Sequence, residues 1–457
     1  MSNKTIYAIV AVVAVIAIAA AAFMLMNNGG SDNGSDVKDK TVTVTDAAGR
    51  TVAISGNVER VACYGVGCLR LFCYGSDVNK IVGVEKAEIN GFNGDESRGY
   101  WIANKDYFMS LKTDIGQGGP QGMPDKEKLL LADLDLLFIT NSMEPSEIDE
   151  LSKSIGCPVV LLSGVDYAPF GEAFYDSIKL VGKAAGTEQK ANDTVSYLKS
   201  VYDDLKKRSS AGGVTAYICG LSYRGNNGID TTIKSYPIFD ALNITNAYAK
   251  YVEETGAKAT GHADKISTEA LTMMDPENIV IDYNGYKAVV LPDVAKGNTF
   301  YGGLSAFKNG NVVTTIPSIA YAANAEHLIA TAYYLGSVYY PEKFADVSVE
   351  EKFAEVCQKI LGNGSIAKKI LNAYSDGLCV WNTQTDKVSV ASGSSVTFTD
   401  PAISDGSEVF RGTVVSFKIS GTGQTVKTTM NGEDTVLTAK NGVYSFKTVG
   451  DVVISVS

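Results

Sequence analysis

The chain has 457 residues, of which 45% are hydrophobic and 20% are charged, so its length and composition predict two to four globular domains. Its formal net charge is −11 and it has no basic run, which excludes a typical nucleic-acid-binding protein. Only two histidines occur, His262 and His327, which disfavours a His-rich metal site and a His-dependent catalytic triad.

The N-terminal segment Ile6–Met26 contains no charge, glycine or proline and is long enough to span a bilayer. Lys4 precedes it and acidic residues follow it, so we expect the N-terminus in the cytoplasm and the body of the chain outside. The alternative is a signal peptide cleaved at Ala19–Ala21. No cysteine lies near the end of the segment, which excludes lipid attachment there. We favour an uncleaved anchor, and both interpretations place the body outside the cytoplasm.

Residues 27–40, rich in Gly, Ser, Asn and Asp, are predicted to form a flexible linker, and residues 41–55 a β-hairpin. A β/α alternation then begins, which predicts a parallel sheet with helices on both faces. Its predicted strands are 58–63, 81–84, 136–139 and 158–162, and its predicted helices are 68–74, 125–132, 146–155 and 171–183. The stretch 88–124 is predicted to be long and irregular.

One long amphipathic helix is predicted over Thr187–Arg208, because apolar residues recur every three or four positions along it. Thr187 is the predicted N-cap, and three basic residues at the far end suit the helix dipole. At about 1.5 Å per residue the helix spans ~33 Å, the width of a small domain. We interpret it as a connector between two lobes.

After this helix the β/α pattern restarts, with predicted strands at 214–220, 278–283 and 311–316 and predicted helices at 237–242, 268–274, 324–340 and 349–361. Glu127–Asn141 and Glu269–Asn284 share a Glu, a Leu, an Asp, an apolar run and a terminal Asn in the same order. This internal similarity favours two related lobes.

The last part of the chain changes character, since Lys387–Ser457 has short alternating runs and no helical periodicity. These runs predict a small β-sandwich or barrel of about seven strands. The predicted fold class is therefore α/β, with two Rossmann-like lobes joined by one long helix, a preceding transmembrane helix and a following all-β domain. The predicted division is 1–26, 27–40, 41–185 (N-terminal lobe), 186–208 (interlobe helix), 209–383 (C-terminal lobe) and 384–457 (β domain).

The seven cysteines, at positions 63, 68, 73, 157, 219, 357 and 379, form no CxxC pair, and their odd number and scatter argue against a disulfide framework. The first three are close in sequence, so two interpretations stay open, namely buried apolar thiols and a soft-metal site. A helical spacing of five residues separates Cys68 from Cys73 around the axis, which favours buried thiols.

Ligands bind beyond the carboxyl ends of the strands in open parallel sheets, so the candidate loops are 64–67, 116–122, 141–143, 222–227 and 284–286. Their side chains provide hydrogen bonds and flat apolar contacts but little acid–base chemistry. Arg224 either pairs with an anionic ligand or binds loop carbonyl groups at the surface. The glycine-rich loop Gly116–Pro120 lacks the neighbours of a nucleotide-binding loop. His327 is either a structural histidine, which we favour, or a ligand or proton-transfer group.

Several segments resemble one protein family. TVTVTDAAGRTVAI (41–54), NVERVACYGVGCLRLFCYGSDVNKIVGVE (57–85) and GGPQGMPDKEKLLLADLDLLFIT (118–140) are similar to cluster-A (class III) substrate-binding proteins of ABC importers. GLSYRGNNGID (220–230) and YAANAEHLIATAYYLGSVYYPEKFADV (321–347) look like the iron-complex members of methanogens and anaerobic bacteria. The resemblance covers about residues 41–375.

This resemblance implies a shallow cleft between two lobes, no catalysis, no resident cofactor or metal site, and an iron–siderophore-type or other metal chelate, a corrinoid or haem as ligand. The implied partners are an ABC permease and its ATPase. The family positions that face the cleft correspond to Tyr64, Gly65, Gly118, Gly119, Tyr223, Arg224, Tyr321 and Asn324. The chain departs from the family in its apparent membrane anchor and in its extra β domain.

Two other functions stay open, namely a cell-envelope or adhesion protein that works through the β domain and a chelate-processing enzyme on a related fold. Because a single helix between lobes is stiffer than two or three hinge strands, we expect closure by only a few degrees.

Overall fold

The structure is a computed structural model, and it describes residues 41–457 apart from 92–93, 121, 165–168, 223–224, 262, 297 and 299. The segment Ile6–Met26 and the linker 27–40 lie outside the described residues, so the anchor and the linker stay predictions. In the part of the chain that is described, no helix has both the length and the apolarity to cross a bilayer.

The N-terminal lobe is built on the predicted parallel sheet. The hairpin β1 (Val42–Thr45) and β2 (Thr51–Ile54) precedes five strands, β3 (Val61–Tyr64), β4 (Ile81–Val84), β5 (Thr113–Asp114), β6 (Leu136–Ile139) and β7 (Val159–Leu161). They lie in the order β5-β4-β3-β6-β7, all parallel. Its helices are α1 (Cys68–Gly75), α2 (Lys86–Asn90), α3 (Gly99–Ser110), α4 (Lys126–Leu131), α5 (Pro145–Ile155) and α6 (Glu172–Ala185). Every residue of β3 and β6 is buried, as expected where helices cover both faces.

The prediction of a long irregular stretch over 88–124 is wrong, because α3 lies in it. The buried residues of α3 are Gly99, Tyr100 and Trp101 at its start and Phe108 near its end, with none between, so the sequence shows no continuous amphipathic stripe. Gly99 begins the helix against Glu326, and an added Cβ would overlap the carboxylate of Glu326. Tertiary packing therefore decides this helix.

The predicted connector is confirmed as helix α7 (Glu188–Arg208). Its buried face is Ala191, Thr194, Val195, Leu198, Val201 and Leu205. Thr187 occupies the predicted N-cap position of α7, but its side chain makes no capping hydrogen bond. Its hydroxyl donates instead to the carbonyl of Gly75 (3.0 Å). Helix α7 packs on α1 and α6 of the N-terminal lobe and on helices of the C-terminal lobe.

The C-terminal lobe contains a second five-stranded sheet. Its strands are β8 (Thr215–Cys219), β10 (Thr245–Asn246), β12 (Ile279–Ile281), β13 (Val312–Thr314) and β14 (Cys379–Val380), in the order β10-β8-β12-β13-β14, with only β14 antiparallel. Strands β9 (Thr231–Thr232) and β11 (Asp264–Lys265) form a separate pair. Three helices precede β12, namely α8 (Pro237–Ala241), α9 (Ala247–Thr255) and α10 (Thr268–Met274). Three more follow β13, namely α15 (Ala325–Tyr339), α16 (Val349–Leu361) and α17 (Ile366–Ala373).

Residues 283–309 form a helical excursion between β12 and β13 that the sequence did not predict. It consists of α11 (Tyr283–Gly285), a π-turn (Tyr286–Val290), α12 (Leu291–Ala295), α13 (Phe300–Gly303) and α14 (Ser305–Asn309). The predicted repeat has a structural counterpart on both sides of α7, since α4 leads into β6 as α10 leads into β12. Asp133 (φ 50°) and Asp275 (φ 32°) take the same left-handed conformation at the two helix ends.

Helices from the second half of the chain also pack on the N-terminal lobe. Helix α16 contacts α1 and α3, and α17 contacts α3, while α15 and α16 contact α7. The lobes are therefore joined by more than one helix.

The β domain is a two-sheet sandwich. Its strands are β15 (Thr385–Val390), β16 (Val396–Asp400), β17 (Ser407–Phe410), β18 (Val414–Ile419), β19 (Val426–Met430), β20 (Glu433–Leu437), β21 (Tyr444–Lys447) and β22 (Val452–Val456). One sheet has the order β17-β15-β22-β19-β20 and the other β16-β18-β21. The sequence missed β17, whose last two residues are both buried.

Candidate functional site

The carboxyl ends of the strands in both sheets carry the polar residues of the candidate site. Tyr64 ends β3 and Glu85 follows β4 in the N-terminal lobe. Asp282 follows β12, and Ser318 lies in the loop after β13, in the C-terminal lobe. The Asp282 carboxylate accepts hydrogen bonds from the amides of Ser318 (2.8 Å) and Asn284 (3.1 Å), which ties these two loops together.

A hydrogen-bonded bridge joins the two lobes at this edge. The buried Glu85 carboxylate accepts from the amide of Gly65 (2.6 Å) and from the hydroxyl of Tyr321 (2.8 Å). The amide of Gly119 donates to the same hydroxyl (2.9 Å). A tyrosine of the C-terminal lobe thus lies among three loops of the N-terminal lobe.

The backbone around Tyr321 is held from the N-terminal lobe as well. Arg70 donates to the carbonyls of Ala320 (2.5 Å) and Tyr321 (3.1 Å), and its guanidinium lies 4.6 Å from the centre of the Tyr100 ring. Tyr321 (φ 52°) and Ala322 (φ 90°) both have left-handed backbone conformations. Such residues cost about 1–3 kcal/mol each and persist only where surrounding contacts impose them. Arg70 and Glu85 supply those contacts here.

A second set of polar contacts continues the bridge toward α15. The hydroxyl of Tyr74 donates to Glu326 (2.5 Å) and accepts from the amide of Ala325 (3.3 Å). The side-chain amide of Asn324 donates to the carbonyl of Ser97 (2.8 Å). The start of α15 is thereby fixed to the N-terminal lobe.

A buried ion pair lies behind this contact. The guanidinium of Arg98 lies 2.9 Å from the carboxylate of Glu88, measured from Nη1 to Oε2. The hydroxyl of Tyr100 donates to the same carboxylate (2.6 Å). Some nearby buried atoms have no hydrogen-bond partner among the residues that the structure describes, namely Arg70 Nε, Trp101 Nε1, Asn324 Oδ1, Glu326 Oε1 and His327 Nε2. An unpaired buried polar atom costs about 1–3 kcal/mol, so these atoms lower the stability of the contact between the lobes.

The structure brings six of the eight predicted ligand contacts together. Tyr64 donates to the carbonyl of Met123 (2.7 Å) and accepts from the amide of Gly118 (3.1 Å). Tyr64, Gly65, Gly118, Gly119, Tyr321 and Asn324 are all buried. Tyr223 and Arg224 lie outside the described residues. A ligand role for all eight stays a prediction, and the hydroxyls of Tyr64 and Tyr321 and the side-chain amide of Asn324 bind other parts of the chain.

Glycine is required at two of these positions by close packing and backbone conformation. A Cβ on Gly65 (φ 100°) would overlap the side chain of Asn141, and a Cβ on Gly118 (φ 65°) would overlap Glu85. The amides of Gly118 and Gly119 are used by tyrosine hydroxyls. The glycine-rich loop therefore supports the bridge between the lobes.

Sequence reasoning missed Arg70, Glu85 and Glu326. Arg70 is the only charge in the apolar helix α1, and Glu326 lies in the otherwise apolar start of α15. A lone charge within an apolar helix needs a buried partner, and this signal could have identified both residues.

Burial raises the pKa of Glu85 to about 7 and that of Asp282 to about 6, although hydrogen bonds from backbone amides oppose both shifts. Burial lowers the pKa of His327, whose Nδ1 lies 2.8 Å from the carbonyl of Pro317. Its ring meets Phe353 edge-on. These contacts suit the structural role favoured for His327.

The prediction of free buried thiols is confirmed. All seven cysteines are free, and all are buried except the half-buried Cys379. Burial raises the pKa of Cys73 to about 12 and that of Cys63 well above its ordinary value. Within the described ranges, no three His, Cys, Asp or Glu side chains are grouped so as to hold a metal ion.

Two mainly parallel sheets whose carboxyl-edge loops meet, with one long helix between the sheets, define a two-lobed solute-binding protein. Comparison with known families agrees, because the family described as periplasmic binding protein matches residues 83–318, and the chain belongs to this family. A curated relative is the uncharacterized ABC transporter substrate-binding lipoprotein YvrC of Bacillus subtilis. It is 22% identical over 333 residues, which cover 71% of this chain and 96% of the relative.

Solved structures share the fold. A periplasmic solute-binding protein of Veillonella parvula is 18% identical with a TM-score of 0.54, and covers 73% of this chain and 97% of its own. Molybdate-bound MolA of Haemophilus influenzae is 17% identical with a TM-score of 0.52, and the match covers 70% of this chain and 98% of MolA. Helicobacter pylori CeuE with bound nickel is 15% identical with a TM-score of 0.51, and the match covers 72% of this chain and 99% of CeuE. The mixed α/β fold is confirmed, as expected for a member of the periplasmic binding protein family.

We predict that Glu85→Gln reduces the loss of stability with rising pH. The folded pKa of about 7 exceeds the ordinary 4.5, so the folded state holds this proton more tightly. The corresponding stability is present below pH 4.5 and is lost as the pH rises to about 7, by at most ~3 kcal/mol. A glutamine can still accept from Gly65 but does not ionise. Urea unfolding of the full chain at several pH values from 4.5 to 8 measures the effect.

Glu150→Gln, on the exposed face of α5, is the matched control and should keep the wild-type slope. Asp282 leaves a residual slope between about pH 4 and 6 in every variant. If Glu85→Gln and wild type lose stability equally between pH 5.5 and 7, Glu85 does not titrate in this range.

Proposed function

We propose that this protein captures a metal chelate, of the iron–siderophore type, in the cleft between its lobes and delivers it to the permease. The observation that supports this most is the contact of Glu85 and Gly119 with Tyr321, through which the carboxyl-edge loops of both lobes meet at one place. Ligands of open parallel sheets bind at such edges.

The chemistry of the loops supports a large polar ligand. Exposed or half-buried Gln117, Ser222 and Asn226 lie on the candidate loops and Met123 directly follows one of them, and they provide hydrogen bonds and apolar contact without a metal-ligating set. A ligand that brings its own coordinated metal fits such a surface. Arg224 would supply charge for an anionic chelate. Two proteins of the same fold hold molybdate and nickel, so metal-containing ligands suit the fold.

We propose that the acting form is anchored in the membrane by Ile6–Met26, with the body outside the cytoplasm and next to the permease and its ATPase. The alternative is cleavage after Ala21. The intact mass of chain extracted from membranes distinguishes them, because cleavage would remove the first 21 residues from the 48.5 kDa chain.

We predict saturable binding of a ferric chelate by the full chain in detergent. Calorimetric titration with a ferric catecholate, a ferric hydroxamate, a corrinoid, haem and molybdate should give one-site binding to a ferric chelate. Arg224→Ala should weaken the binding of an anionic chelate about 10- to 100-fold, since hydrogen bonds to charged groups contribute ~1.5–3 kcal/mol. Lys207→Ala, an exposed charge on α7, is the control and should leave the affinity unchanged. Absence of binding to every metal complex would reject the proposal.

We predict that the lobes close by only a few degrees. Helix α7 and the contacts of α16 and α17 with the N-terminal lobe oppose a hinge rotation. Tyr321 already contacts Glu85 in this structure. The mechanism is then a small population shift on ligand binding. Free and chelate-bound crystal structures that differ by a rotation of tens of degrees would contradict it.

The cell-envelope alternative has one supporting observation, namely the exposed Val414, Val436, Val449 and Val453 of the β domain. Exposed aliphatic side chains in one small domain are a possible contact surface for another protein. A permease gene and an ATPase gene beside this one would favour transport. A chain that binds purified cell envelopes, but no metal complex, would favour adhesion.

A further inference from the structure

The β domain is fixed to the C-terminal lobe by an aromatic seam, which we define as Tyr286, Phe307, Trp381 and Phe410. The Trp381 ring lies 5.1 Å from Tyr286 and 5.6 Å from Phe307, both edge-on, and stacks on Phe410 at 6.3 Å. Phe307 and Phe410 are 5.8 Å apart. Aromatic pairs of this geometry contribute beyond the area that they bury.

Phe410 is a strand residue of the β domain, yet it packs in the core of the C-terminal lobe. It is 8% exposed and shares a hydrophobic cluster with Tyr286, Phe307 and Val312. Two hydrogen bonds hold the segment that leads into the β domain, from the Thr383 hydroxyl to the carbonyl of Phe307 (2.6 Å) and from the Trp381 amide to the carbonyl of Val312 (2.8 Å). Through Phe410, the β domain therefore shares the hydrophobic core of the C-terminal lobe.

The seam reaches the edge of the candidate cleft. Tyr286 begins the π-turn Tyr286–Val290, directly after the residues that follow β12 at its carboxyl end. On the same turn, Lys287 pairs with Asp376 and lies 6.0 Å from the centre of the Tyr283 ring. Irregular π-turns are frequent at functional sites.

This edge has little stability of its own. The α-helical pieces on either side of the π-turn are three and five residues long and continue from it without a break, so Tyr283–Ala295 is one short helical segment. An isolated helix shorter than about 12–15 residues is marginal in water, so packing stabilises this segment. From outside the excursion, the ring of Trp381 packs on Tyr286 of the π-turn and the ring of Tyr374 packs on Tyr283 just before it.

We propose that the β domain is a positioning element of the ligand cleft, which holds the edge Tyr283–Lys287 in its binding geometry through Trp381 and Phe410. The expected effect on ligand affinity rests on the function proposed above, whereas the expected ordering of the edge Tyr283–Lys287 does not. Trp381 is a positioning residue in this arrangement, since it acts through Tyr286.

Hydrogen–deuterium exchange on the full chain tests the proposal without any ligand. In Trp381→Ala, peptides from 283–296 should exchange about tenfold faster, while peptides from α1 and β3 keep their wild-type rates. Trp381→Phe retains a ring against Tyr286 and should restore most of the protection. Tyr444→Ala removes a ring of the β domain that stacks on Phe417 and lies outside the seam, so the edge should keep its protection.

Unchanged exchange over 283–296 in Trp381→Ala would overturn the proposal. An equal increase in α1 and β3 would also overturn it, because it would show general loss of structure instead of a local effect. Ferric-catecholate affinity is the second readout, and it should fall about tenfold in Trp381→Ala and recover in Trp381→Phe. If wild type binds no chelate while the exchange rates differ as expected, the proposed ligand is wrong and the positioning role stands.

Discussion

The bridge between Glu85 and Tyr321 is the contact on which the arrangement of the lobes depends. It places a carboxylate, two backbone amides and a tyrosine hydroxyl in a buried environment, where hydrogen bonds are strong and unpaired groups are costly. Arg70 adds a buried cation that binds the carbonyls next to Tyr321. Loss of one partner would leave a buried charge or dipole unsatisfied, so these residues act as a unit.

The bridge also explains why the strained backbone at Tyr321 and Ala322 persists. Left-handed conformations are unfavourable for both residues. The loop has one β-bridge of its own, between Ile319 and Ala323, which encloses both residues. The N-terminal lobe imposes them through Arg70 and Gly119. A loop that is already ordered loses little conformational entropy when a ligand binds, which favours affinity through preorganisation.

Local sequence patterns predicted the elements that local physics determines. The apolar stripe of α7 and the buried runs of β3 and β6 follow from periodicity, and the Asp133 and Asp275 segments follow from the internal repeat. Helix α3 was missed because its buried residues lie at its two ends and give no continuous stripe. The excursion 283–309 was missed because its helical segments pack on residues distant in sequence, such as Trp381 against Tyr286. Arg70 and Tyr321 are about 250 residues apart, and no local pattern pairs them.

The family resemblance named loops that the structure brings together at one edge, but position in a loop does not decide which atoms a ligand meets. Tyr64, Tyr321 and Asn324 use their polar atoms to hold neighbouring loops, and Gly118 and Gly119 accommodate the close contacts of those loops. Residues of this kind determine the shape of a cleft, and shape is common to many chelates. Under the proposed function, discrimination between chelates depends on exposed side chains of the same loops, such as Gln117 and Asn226, and on Arg224. Such side chains can change without disturbing the bridge, and proteins that share this fold hold ligands as different as molybdate and nickel.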